Sequence, residues 1–139
     1  MGKRFWISGL VMAVAAMMLG FVVHGVLLKP DYAALEPIMR TDGDSAHFMQ
    51  WMLLADAAIG FGITWIYRQG YTPAKSAIGQ GLCCGFAVAL VSTIPMFLFY
   101  YAVQPLPGTL VMKQELFATL QMLLLGVIAA LLNPRPKTN

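Results

Sequence analysis

Charge is what this chain has least of. Only 11% of its 139 residues are Asp, Glu, Lys or Arg, against about 25% in an ordinary soluble domain. So few ionisable side chains cannot clothe a single domain of this length in water, which excludes a soluble globule. The bilayer is the remaining solvent, and an apolar content of 59% with a mean hydropathy of +0.71 suits it. Cysteine is nearly absent as well. Cys83 and Cys84 are adjacent, and neighbouring helical positions point about 100° apart. They therefore form neither a CxxC redox pair nor a metal knuckle and read as small packing residues. No nucleophile triad, phosphate-binding loop or zinc motif occurs, and Asp42-Gly43-Asp44 is too short for a calcium loop. The expectation is a non-enzymatic protein with no metal and no cofactor.

The few charges are clustered, and the gaps between them are long. Phe5 to Leu28, Ser76 to Met112 and Leu116 to Pro134 carry no Asp, Glu, Lys or Arg, and His47 to Tyr67 is interrupted only by Asp56. A helix rises about 1.5 Å per residue, so runs of this length cross a hydrocarbon core of about 30 Å. The expected fold is all-α: one integral membrane domain over residues 1–139, built as a four-helix transmembrane bundle. Its spans are expected at Phe5 to Leu28, His47 to Tyr67, Ser76 to Tyr101 and Lys113 to Leu132. Asp44 or Ser45 is expected to cap the second helix, and the short second loop to make helices two and three antiparallel neighbours. Pro30 and Pro37 break the first loop, and Asn133 and Pro134 stop the last helix. The first run is about twice the usual length of a signal-peptide core, so it reads as a retained span.

Orientation follows from the cations. Lys3, Arg4, Arg68, Lys75, Arg135 and Lys137 share one side without an acid; Lys29, Arg40 and Lys113 share the other with Asp31, Glu36, Asp42, Asp44 and Glu115. The positive-inside rule then puts both termini in the cytoplasm, in a multi-pass protein of a bacterial inner membrane. Trp6, Trp65, Tyr67, Tyr100 and Tyr101 fall where interfacial aromatics belong. The net charge of +3 reports this topology, and nucleic acid is not an expected partner.

In lipid, helices associate by close packing and hydrogen bonding, so small residues become informative. Gly81, Gly85 and Ala89 make helix three the expected central element, with Ala58 and Gly62 on helix two and Ala16 and Gly20 on helix one at the same spacing. Gly9-Leu10 and Gly81-Leu82 align at an offset of 72. A duplicated hairpin is one reading of that alignment, and chance between apolar helices is the simpler one.

Asp56 is the residue that demands an explanation. It lies near the bilayer centre, where an acid costs about 2.5 to 3.5 kcal/mol, and no Lys or Arg of this chain lies at its depth. It is either protonated, hydrogen-bonded within the bundle, or opposite a group on another chain. Ser92, Thr93 and Gln121 lie at similar depth, and Pro95 frees the carbonyl of Val91 beside them. These four side chains are the candidate ligand or ion site. His24, His47, Gln50, Tyr100 and Glu115 cluster toward the outer ends as a candidate vestibule, whereas the inner half offers only Ser8, Gln80 and Thr64. Two histidines also permit haem or copper ligation, although interfacial packing is the plainer reading.

The stretch Tyr100-Tyr101-Ala102-Val103-Gln104-Pro105-Leu106-Pro107-Gly108, followed by Val111-Met112-Lys113-Gln114, resembles a segment of small uncharacterised four-helix bacterial inner-membrane proteins. Gly20 to Leu28 is similar to the end of their first helix. The resemblance implies a four-helix fold and transfers no catalytic residue. The expected function is that of an accessory, assembly or homo-oligomeric membrane component, whose partners are the lipid bilayer and a second copy or another membrane protein. The alternative is a small-solute or ion carrier acting as an oligomer around Asp56, and a haem-binding redox subunit using His24 and His47 comes third.

Overall fold

A computed structural model describes residues 2–35, 42–72 and 75–134, apart from the side chains of Asp42 and Ser45. The charged or loop positions Glu36, Pro37, Arg40, Arg135 and Lys137 lie outside the described residues. Every regular element described is helical: α1 (Lys3–Gly20), α2 (Lys29–Ala33), α3 (Asp42–Gly70), α4 (Ala77–Val91), α5 (Thr93–Val103) and α6 (Gly108–Leu132). Phe21–Leu27 continues α1 as a wider π-helix. Four helices are long and apolar enough to cross a membrane: Lys3–Leu27, Ala46–Gly70, Ala77–Val103 and Gly108–Leu132.

The observed helices overrun the expected ones. α3 starts at Asp42, so Asp44 and Ser45 sit in its first turn rather than cap it. Acidic side chains there favour the positive end of the helix dipole. α6 starts at Gly108, ahead of the expected Lys113, and its first turn buries Leu110 in a cluster with Val23 and Leu28. The third span breaks at Ser92, three residues before Pro95, where proline can neither donate to the Val91 carbonyl nor tolerate straight helix before it. Ser92 Oγ instead donates to Val88 O at 2.6 Å and Thr93 Oγ1 to Ala89 O at 3.2 Å, so both hydroxyls bond to their own helix.

The most extensive packing joins α4 to α6, and the next joins α1 to α3. Both pairs run antiparallel and both are drawn together by missing side chains. At α4–α6, a methyl group on Gly85 or Gly126 would collide with the backbone opposite, and one on Gly81 would come within 2.6 Å of the Gly126 carbonyl. At α1–α3 the same holds for Gly60 against the Met12–Ala13 backbone, while Gly9 sits against the Phe61 ring. Gly9 and Gly81 thus each lie at the close contact of their own hairpin. The spacing on α3 is not the expected Ala58–Gly62 pair, since Gly62 faces open space. Helices two and three, though joined by a short connection, touch only lightly.

The centre of the bundle is α6, not the third span. It contacts α1, α3, α4 and α5, and it supplies Met122, Leu125, Ala129 and Ala130 to a core that includes Met12, Ala16, Ile63, Tyr67 and Ala89. It can do so because it is small-faced on one side and polar-tipped on another: Gly126 and Ala130 meet α4, whereas Gln121 and Asn133 reach α1. Tyr67, expected in the interfacial belt, is instead 3% exposed within this core, edge-on to Tyr71. Two ends can be distinguished. Arg4 donates to the carbonyls of Leu132 and Pro134, so both described chain ends lie at one end of the bundle.

Candidate functional site

Three polar layers cross this apolar bundle. The middle one contains Asp56. On α3 the stripe Asp56, Gly60, Ile63 and Tyr67 follows the i, i+4, i+7, i+11 repeat of one helical face. The last three are buried against the bundle, and Asp56 is half-buried where the stripe emerges. Because Gly60 meets Met12 and Ala13 and the helices are antiparallel, the turn carrying Asp56 lies beside the next turn of α1, near Ala16 to Gly20. Gln121 reaches that same turn from α6, donating from Nε2 to Ala16 O at 3.2 Å. Asp56 and Gln121 therefore meet one turn of α1, but Asp56 makes no hydrogen bond or ion pair with any described residue. Thr93 is buried with its hydroxyl engaged, and Ser92 is exposed, so the structure gathers two of the four candidates around α1 and leaves the other two at the break in the third span.

From Asp56 toward its N-terminus, α3 is exposed. Every residue from Ala46 to Ala55 is exposed, including Trp51 at 60%, Met52 and Leu54. An amphipathic helix packed on a neighbour alternates buried and exposed positions, and this segment does not. The acid thus sits where the exposed stretch of the second span meets its buried stripe.

The layer at the end remote from the termini joins groups far apart in sequence. Lys113 Nζ pairs with Asp31 at 2.7 Å. Gln114 Nε2 donates to Tyr32 Oη at 3.0 Å, and Tyr32 Oη lies 2.7 Å from His24 Nδ1. With the amide donating, the phenol keeps its one proton for the imidazole. Burial pushes the Tyr32 phenol up; the bond from Gln114 opposes this and the Asp31 carboxylate adds to it. Glu115 accepts from Thr119 Oγ1 at 2.7 Å, while its Oε2 and Gln114 Oε1 are buried without a hydrogen-bond partner among the described residues. Of the expected vestibule, His24 and Glu115 belong to this end. Tyr100 packs edge-on against Phe97, and His47 and Gln50 lie exposed on the N-terminal stretch of α3.

The third layer lies at the termini end and its centre, Asn133, was legible in the sequence only as a helix stop. Asn133 is 5% exposed. Its amide donates to Ala129 O at 2.9 Å, and its Oδ1 accepts from Arg68 at 3.0 Å and from Ser8 at 3.4 Å. With Arg4 on the last carbonyls, two cations close the negative end of α6. Among the described residues no three His, Cys, Asp or Glu side chains gather as a metal site requires. Compared with known proteins, the chain matches no family model, no curated protein and no solved structure.

Proposed function

We propose that this chain is a non-enzymatic inner-membrane protein that works by lateral association with other membrane helices, either further copies of itself or a partner it helps to assemble. One observation carries the reading: a carboxyl group midway along an apolar span, without a hydrogen bond or ion pair among the described residues, at the base of a helical segment exposed at every position from Ala46 to Ala55. An acid in hydrocarbon seeks a hydrogen bond, and a second helix laid along Ala46 to Ala55 brings one to Asp56. Both termini face the cytoplasm in this reading. The cations Lys3, Arg4, Arg68 and Lys75 at the termini end support it, with Asp31 and Glu115 at the other.

The carrier alternative draws less support, because the hydroxyls of Ser92 and Thr93 are committed to their own helix and Ser92 faces outward. Two differently tagged copies expressed together test the proposal. Pull-down of one tag brings down the other copy or a stoichiometric second membrane protein. Asp56→Leu, which keeps the apolar bulk and removes the hydrogen-bonding group, weakens that association by roughly fivefold to thirtyfold, the equivalent of about 1 to 2 kcal/mol for an interhelical hydrogen bond. Association that is unchanged in the Leu variant removes Asp56 from the contact.

A further inference from the structure

Where α3 and α4 come together only lightly, the bundle opens a cleft of about 610 Å³ at the termini end. Its wall changes character along its length. Ile66 and Cys83 line the part nearer the membrane interior, and Thr72, Lys75, Ser76 and Gln80 line the part at the helix ends. One side chain links two residues of the polar rim: Gln80 accepts from Thr72 N at 2.6 Å and donates to Lys75 O at 3.1 Å. Lys75 N in turn donates to Thr72 O at 3.2 Å. Among the described lining residues the only charged one is therefore a cation, Lys75, whose backbone carbonyl Gln80 holds, and none is an acid that would neutralise it.

We infer that this cleft seats one anionic phospholipid, its phosphate at Lys75 and the first methylenes of an acyl chain along Ile66 and Cys83. Three properties select this occupant. The cleft lies at the ends of two membrane-crossing helices, Ala46–Gly70 and Ala77–Val103, which is where headgroups lie. Its polarity runs in the same order as that of a phospholipid, from a charged rim to an apolar floor. Its size falls within the range of about 300 to 1,000 Å³ that small-molecule sites occupy, and basic pockets between transmembrane helices bind phospholipid headgroups. The inference is independent of the lateral contact at Asp56, which lies on the far half of α3.

Delipidated protein titrated with phosphatidylglycerol or phosphatidylcholine, and read by native mass spectrometry, tests it. Wild-type protein retains one phosphatidylglycerol in preference to phosphatidylcholine. Lys75→Gln lowers that retention roughly fivefold, and Cys83→Trp, which fills the floor and leaves the cation, lowers retention of both lipids. Lys3→Gln removes an equal charge from the same end outside the cleft and leaves retention unchanged. Excess inorganic phosphate does not displace the lipid. Equal retention of the two lipids overturns the inference, as does a loss in Lys3→Gln that matches Lys75→Gln. Displacement by phosphate also overturns it, by showing that the cleft binds the anion alone.

Discussion

At the scale of single residues, glycines decide how near the helices come and polar side chains decide how they lock. Gly85 and Gly126 lie where even a methyl group meets opposing backbone, whereas Gly62 has nothing within 4 Å of the position a methyl would take. Gly85→Ala and Gly126→Ala are each expected to cost about 1 to 3 kcal/mol through overpacking. Gly62→Ala is expected to be neutral or to stabilise by up to about 1 kcal/mol through helix propensity. Unfolding of the three variants by sodium dodecyl sulfate titration in mixed micelles measures the difference. The sequence shows small residues at helical spacing but not the rotation of a helix about its own axis. That is why Gly60 rather than Gly62 meets α1, and why Tyr67 turns inward. The polar layers were less legible still. Tyr32 with Gln114 and Ser8 with Asn133 pair across 82 and 125 residues, a separation over which no periodicity connects the partners.

At the scale of elements, the four spans were legible because the bilayer imposes a minimum apolar length, and interruptions by charge mark their ends. Their ends differ where apolar residues continue the helix past the charge, as at Gly108, whose helix begins ahead of Lys113 and carries Leu110 in a cluster with Val23 and Leu28. The N-terminal stretch of α3, Ala46 to Ala55, is exposed along its whole length. With Trp6 and Trp65 replaced by Phe, the fluorescence of Trp51 reports on that segment alone. In dilute dissociated protein, brominated lipid is expected to quench it, since the side chain is 60% exposed and lies on the span. In the associated form a neighbouring helix displaces lipid, and quenching is expected to fall. Quenching that is the same in both forms places the contact elsewhere.

At the scale of the whole molecule, the bundle is two glycine-sealed hairpins gathered around α6, closed at one end by Arg4, Arg68 and Asn133 and braced at the other by the Asp31–Lys113 pair. That exposed pair contributes about 1 kcal/mol at most, so the glycine contacts and the core carry the fold. Two features of the described residues lie together on α3: an acid with no hydrogen bond or ion pair among them, and the exposed stretch Ala46 to Ala55. The most direct test is the mass of the protein extracted in mild detergent, corrected for bound detergent and lipid. The account predicts a multiple of the 15.2 kDa chain or a stoichiometric complex with a second membrane protein. A single 15.2 kDa chain, alone at every concentration at which the bundle stays folded, contradicts it.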